Sequence, residues 1–249
     1  MNKRKKIKFS LIVLLVLFIN QNFAQEIKQS SFEFNYNYQI PIGNLSETYG
    51  NNSAIGIVYF SERSNNIIYG VEASFMFGST LKDTNIFNNI STSTGAIIGG
   101  DGYYANVNLM QRGWNSFLFG GYAFHFSNKN LSGIYVSQGF GFLEHKIFID
   151  TRNQNIPQLD EEMKKGYDRL TNGLSGKFTI AYKYYDQNGR FQMSTNLNYL
   201  FGLTKNQRAY DFANQIYYSQ EKKWDNLFGI SIGIIIPINR KNNEEFHYF

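Results

Sequence analysis

Three histidines, no cysteine and a scatter of carboxylates are what this 249-residue chain offers to chemistry. His125, His145 and His247 share no metal-ligand spacing. Without thiolates the chain can build no thiolate zinc site, disulfide framework or nucleophilic cysteine, so no metal and no other cofactor is expected. Glu144 and His145 stand side by side, and acyl transfer needs a serine, a histidine and an acid within hydrogen-bond reach. Serines are plentiful, but no spacing ties one to His145. A histidine packed in the base of a loop is therefore expected, and no catalytic residue is assigned. The second constellation is Glu33 and Glu72 set against Lys177 and Lys183. All four fall on the polar side of alternating stretches. If that side faces a narrow protein interior the charges must pair, because an isolated buried ion is prohibitively costly. A conducting interior would use such groups as a gate or proton path. A closed one would use them as a structural network, which is the favoured reading.

The elements that position these residues follow a two-residue period. Phe32, Phe34, Tyr36, Tyr38 and Ile40 alternate with Glu33, Asn35, Asn37 and Gln39. On a strand this puts every aromatic on one face and every polar group on the other. The pattern returns over Phe178–Tyr184, Phe191–Phe201 and Phe228–Ile236. Short turns fall at 61–66, 127–130 and 186–189, the last containing the hairpin pair Asn188-Gly189. Longer connections run at about 42–52, 79–113, 150–172 and 205–225. Long and short alternate, which predicts eight strands at about 31–41, 53–61, 67–78, 114–126, 131–149, 173–186, 190–204 and 226–238. The fold class expected is all-β: an eight-stranded antiparallel up-and-down transmembrane β-barrel with a short helix in an extracellular loop. Tyr103–Met110 also reads as strand. A ninth crossing would put the C-terminus on the wrong side, so it is assigned to the second long loop.

A soluble barrel also alternates, but it shows water a face rich in Lys and Glu. Here the polar face is mostly Asn, Gln, Ser, Thr and Gly, and the apolar face is crowded with aromatics, as lipid-facing strands and their interfacial girdles are. The N-terminus agrees. Lys3, Arg4, Lys5, Lys6 and Lys8 precede the apolar run Leu11–Ile19 and a small-residue exit at Ala24. Residues 1–24 thus read as a cleaved signal peptide and 25–249 as the barrel, with a polar tail at 239–249 whose acids and aromatics end in Phe249. Five of the 24 basic residues, and none of the 19 acidic ones, lie in the first 24 positions. The mature chain then has a formal net charge of zero, which removes the basic surface a nucleic-acid partner would need.

The third long loop carries the most specific local signal. Asn155–Gly166 reads as one short helix, with Pro157 in the first turn, Asp160, Glu161 and Glu162 near its positive end, and Lys164 and Lys165 near its negative end. Gly166 supplies a left-handed stop. Leu159 and Met163 share a face, and Tyr167, Arg169 and Leu170 extend it as candidate partner contacts.

The signal ending Ala24-Gln25, the aromatic first strand running into Pro41-Ile42-Gly43-Asn44 and the Gly-rich last strand resemble the outer-membrane β-barrel domain of Bacteroidota. That is the broad group of PorT-like proteins and of small barrels of the OmpA and OmpX type. The resemblance covers about residues 25–240 and implies fold and bacterial outer-membrane location, while members differ in function. The tail departs from it, because such barrels usually end on the last strand. The role expected is structural or interactive: a barrel that anchors or assists a surface, secretion or outer-membrane assembly partner through its extracellular loops. Outer-membrane lipid surrounds it and the barrel assembly machinery inserts it. A narrow transporter or pore is the alternative, and a rim-located lipid acyl hydrolase a more distant one.

Overall fold

The computed structural model describes residues 27–238 apart from 84, 128–129, 187–189 and 219–220. The expected signal peptide, the C-terminal tail from 239 and the Asn188-Gly189 turn lie outside the described residues. Eight long strands close into one barrel: β1 (Ile27–Gly43), β2 (Asn52–Arg63), β3 (Ile67–Gly78), β4 (Asn108–Ser127), β5 (Asn130–Asp150), β6 (Thr171–Tyr185), β7 (Gln192–Asn206) and β8 (Lys223–Pro237). Each pairs antiparallel with its sequence neighbour, and β1 closes the ring on β8 through Ser31↔Pro237 to Gly43↔Asp225. Closure leaves no unpaired strand edge, the condition for backbone to sit in hydrocarbon.

The short connections join β2–β3, β4–β5 and β6–β7 at one end, and four long loops stand at the other. The expected up-and-down barrel is therefore the observed fold. The largest boundary error is at β4, which begins at Asn108 rather than 114 because Gln111-Arg112-Gly113 interrupts the apolar alternation. Tyr103–Met110 divides accordingly. Tyr104–Ala105 pairs with Ile97–Ile98 as a two-residue ladder inside the second loop, while Asn108–Met110 opens β4.

Outward side chains of the strands are the exposed aromatics and aliphatics: Phe34, Tyr36, Phe75, Leu118, Phe140, Ile232 and their neighbours. A closed barrel with this exterior and a buried polar interior has lipid as its solvent. β4 and β5 are 20 and 21 residues long, twice the ~9–11 that a tilted strand needs to span a bilayer. Their upper ends therefore leave the membrane, and the outward side chains turn polar there at Arg112, Glu144 and Lys146.

The interior is not polar throughout, as the first strand alone would predict. Ala54, Met76, Phe117, Leu143, Leu200 and Leu227 form an apolar layer toward the long loops, continuous with the loop core. Val58, Phe60, Ile68, Tyr135, Tyr185 and Ile235 belong to a second apolar cluster, toward the short turns. Between them lie the buried Asn, Ser, Glu and Lys side chains, since an eight-stranded barrel is just wide enough to be filled.

Candidate functional site

The long loops are a packed structure rather than free chain. Leu45 and Tyr49 of loop 1, Ile86 and Ile97 of loop 2, and Leu159 and Tyr167 of loop 3 are all buried in the cluster that continues the upper barrel core. Phe212 of loop 4 packs edge-on against Tyr167 at 5.5 Å between ring centroids. Backbone hydrogen bonds tie loop 1 to loop 2 (Gly50 N to Thr80 O, 2.9 Å), loop 2 to loop 3 (Gly100 N to Asn155 O, 2.8 Å) and loop 4 to loop 3 (Phe212 N to Gly166 O, 2.9 Å).

Charges lock the same assembly. Arg169 reaches Asp83 at 2.9 Å and Asp211 at 3.6 Å, bridging three loops from one guanidinium. Burial works against the Arg169 charge, but the two carboxylates hold it above its ordinary value. Arg208 grips Asp168 with two donors, Nε at 2.8 Å and Nη2 at 2.5 Å, the planar geometry that makes such pairs strong. That hydrogen bonding raises the Arg208 value as well.

This assembly corrects the reading of the third loop. One helix over 155–166 is not formed. A 3₁₀ turn at Pro157–Leu159 is followed by a separate helical turn at Glu161–Lys164. The break is Asp160, whose backbone is extended and whose side chain caps the second turn by accepting from Met163 N at 2.7 Å. Leu159 consequently points into the loop core while Met163 is exposed, so the two do not share a face. Gly166 is not left-handed. It is required by the Phe212 ring, which a Cβ at that position would meet at 2.2 Å. Tyr167 is buried, and burial raises its phenol above the ordinary value. Arg169 is held by its carboxylates and Leu170 is half-buried. Of the five contact candidates, Met163 alone is exposed.

The loop surface that does face water with apolar side chains is formed by two short ladders, one partly anticipated by the strand-like Tyr103–Met110 and the other, on loop 4, absent from the sequence reading. Ile98, Tyr103 and Tyr104 lie on or beside the loop 2 ladder, and Ile216 and Tyr217 on the Tyr210–Asp211/Ile216–Tyr217 ladder of loop 4. Tyr217 is 80 % exposed. Two-residue strands are too short for the period-2 signal. A cleft of about 480 Å³ opens beside loop 4, lined by Asn44, Glu47, Arg169, Tyr217, Lys223 and Asp225 among others.

His145 also lines that cleft, but not with Glu144. The two project to opposite sides of the β5 wall. Glu144 accepts from Trp114 Nε1 and Asn172 Nδ2 at 3.1 Å each. His145 is buried inside, with Nε2 2.9 Å from Asp225 Oδ2, which also accepts from Thr204 Oγ1 at 2.5 Å. No serine hydroxyl bonds to His145 among the described residues. The acid–histidine pair that exists joins β5 to β8, and the hydroxyl beside it, Thr204 Oγ1, bonds to the acid and not to the histidine among the described residues.

Within the barrel the four predicted charges meet in two pairs. Lys183 Nζ donates to Glu33 Oε2 at 2.7 Å, and Lys177 donates to Glu72. Glu33 also accepts from Ser194 Oγ (2.7 Å) and Asn196 Nδ2 (3.0 Å), while the Lys183 ammonium lies 3.5 Å from the Phe60 ring centroid. The space left in this network is about 50 Å³, room for a few waters at most. A third cluster is absent from the sequence reading. Buried Glu62 takes His125 Nε2 at 2.7 Å, Tyr135 OH at 3.0 Å and Lys28 Nζ at 3.3 Å. Glu62 falls within the predicted turn at 61–66. The inward period of β2, carried past Phe60, is the signal that points to it.

No family model and no curated protein matches the chain. Several solved structures do. Ail of Yersinia pestis is 10% identical over 84% of this chain and 98% of its own, with a TM-score of 0.40. The N-terminal β-barrel domain of Pseudomonas aeruginosa OprF is 12% identical over 85% and 100%, at 0.38. A major outer membrane protein from Thermus thermophilus is 8% identical over 83% and 99%, at 0.43. At such identities and scores they leave the function of this chain open.

Proposed function

We propose that this chain is a bacterial outer-membrane barrel of the interaction type, which presents a rigid loop cap to a protein partner outside the membrane. Lipid surrounds the wall and the barrel assembly machinery inserts it. The observation that carries the reading is the cap itself. Four loops are packed around their own core and cross-linked by Arg169 and Arg208, yet they leave Tyr103, Tyr104, Met163, Ile216 and Tyr217 in water. Apolar side chains on the barrel wall are covered by lipid; on a water-facing cap they are the mark of a contact surface. Rigidity lowers the ordering cost of association, so a preassembled cap binds where a floppy loop would not. The plugged interior leaves little for transport to use.

The test is cross-linking and purification from membranes of the native host, comparing the full chain with a Tyr104→Ser/Tyr217→Ser variant. Both proteins should float with the outer membrane and shift on a denaturing gel only after boiling. A stoichiometric partner should be held by the former and lost, by tenfold or more, from the latter. A wild-type chain that recovers no stoichiometric partner, or a variant that keeps it in full, refutes the reading. So does recovery of the protein in the soluble periplasm.

A further inference from the structure

The outward side of β5 carries Ile134, Val136, Gln138, Phe140 and Phe142 before turning charged at Glu144. Gln138 is therefore at the middle of the stretch that crosses hydrocarbon. Its side chain is exposed, and its carboxamide has no hydrogen bond among the described residues. The neighbours across the wall cannot help it. Gly120 of β4 lies directly opposite with no side chain, and Phe178 of β6 flanks the other edge. A lone amide facing acyl chains is disfavoured, because lipid offers it neither donor nor acceptor.

The surface around it is uneven. Leu118 and Leu174 stand out from the wall, 69 % and 77 % exposed, with Phe140 between their strands. Beside them the small side chains Ala73 and Ser116 help line a depression of about 780 Å³, bounded by Tyr59, Leu118 and Phe142 among others. Protrusion and depression thus adjoin on one face.

We infer that this β3–β6 face is a contact between two copies of the chain within the membrane, closed at its centre by reciprocal Gln138 amides. Two copies inserted in the same direction can be related only by an axis along the membrane normal. Such an axis brings each residue opposite its own counterpart at the same depth, and the interface is isologous. A carboxamide is one of the few side chains that is donor and acceptor at once, so two of them satisfy each other without any further group. A second copy supplies the missing partner by symmetry, at the required depth. An acyl chain supplies none, and a different membrane protein would need its own polar group there. With the axis at Gln138, β6 of one copy faces β4 of the other, which turns the protruding Leu174 toward the partner's depression at Ala73 and Ser116. This interface is on the barrel wall and does not depend on the cap.

The chain contains no cysteine, so single-cysteine variants report without background. Sheets packed face to face stand about 10 Å apart, beyond the Cα separation of ~4.4–6.8 Å that a disulfide accepts, so Gln138→Cys at the axis is joined by a bifunctional thiol cross-linker of about that span. Phe34→Cys, on the far wall, is the control. In native membranes treated with that cross-linker, Gln138→Cys should give a band at twice the monomer mass, at least tenfold stronger than Phe34→Cys. Gln138→Leu, which places a better lipid-facing residue on an intact barrel, should weaken dimerisation in micelles at least tenfold by energy transfer between labelled copies. Gln138→Asn should retain most of it. Equal cross-linking at both positions overturns the proposal. A Gln138→Leu chain that dimerises like wild type does so as well. A purely monomeric wild type means that lipid covers the face, and a cross-link to a different mass means another protein does; both sink it.

Discussion

Removing the Glu33 carboxylate should cost more than removing that of Glu72. The side chains of Glu33 and Lys183 are 3 % and 7 % exposed, against 11 % and 9 % for Glu72 and Lys177. Glu33 is also the hub, accepting from Lys183, Ser194 and Asn196 together. Glu33→Ala leaves a buried ammonium whose remaining support is the Phe60 and Tyr135 rings, at 3.5 and 5.3 Å. Asn196 keeps a bond to Ser231, but the Ser194 hydroxyl loses its acceptor. Breaking a buried pair from one side costs about 3–5 kcal/mol, a fall of roughly 10² to several 10³ in the folding constant. The companion variant is Glu33→Ala/Lys183→Met, which removes the stranded charge and keeps an apolar stem on Phe60. It should recover most of the loss, short of about 1–3 kcal/mol for the unsatisfied hydroxyl. Urea unfolding in lipid vesicles, followed by the fluorescence of Trp114 and Trp224, measures both. A loss below about 1 kcal/mol for the single variant, or a double variant no more stable than the single, would refute the account of Lys183 as a charge held in place by Glu33.

Two further outcomes follow from the same structure. Reconstituted into planar bilayers the chain should show no steady porin-like current, since the gap between the paired charges is about 50 Å³; large reproducible single-channel steps would return the transporter reading to first place. Gly166→Ala should loosen the cap without touching the barrel, because the new methyl collides with the Phe212 ring. Overpacking of this kind costs about 1–3 kcal/mol, visible as earlier protease cleavage within 150–225 while the boiling-dependent gel shift persists; unchanged protease resistance would show that Phe212 simply moves aside.

The barrel was legible because its signal is regular. Side chains on a strand have a period of two, and Phe32 to Ile40 keep it without a break, so strand number, order and direction follow from counting turns. It failed where the inward residue is apolar or the strand leaves the membrane. Leu143, Ile147, Leu200 and Leu227 point inward and are among the most buried side chains, yet a hydrophobic inward residue blurs the alternation that identifies the strand. The third loop failed for a different reason. Helix rules score local charge and capping, and Asp160 satisfies them at an N-terminus as well as within a first turn; which role it takes is decided by Leu159 being drawn into a core built from three other loops. Phe212, which dictates the glycine at 166, is 46 positions away. Contacts of that range leave no mark on local spacing.

Plugged interior and packed cap point in one direction. A pore must keep its lumen open and its mouth permissive, whereas here two apolar layers and paired charges fill the barrel from the short turns to the loops. The upper apolar layer does not stop at the rim. It continues from Leu143 and Leu200 through Ile147 and Ile149 into Leu159 and Tyr167, so the cap rests on the interior as a second storey on a solid base. Loosening the cap would therefore unpack the mouth, and emptying the mouth would unseat the cap. Long β4 and β5 carry this continuous core above the lipid. The sequence invests its non-membrane residues in holding the two exposed tyrosine-bearing ladders, on loops 2 and 4, at fixed positions in water. Fixed position is of little use to a conduit, whereas the proposed contact with a protein partner would draw on it, because a preassembled surface lowers the ordering cost of association.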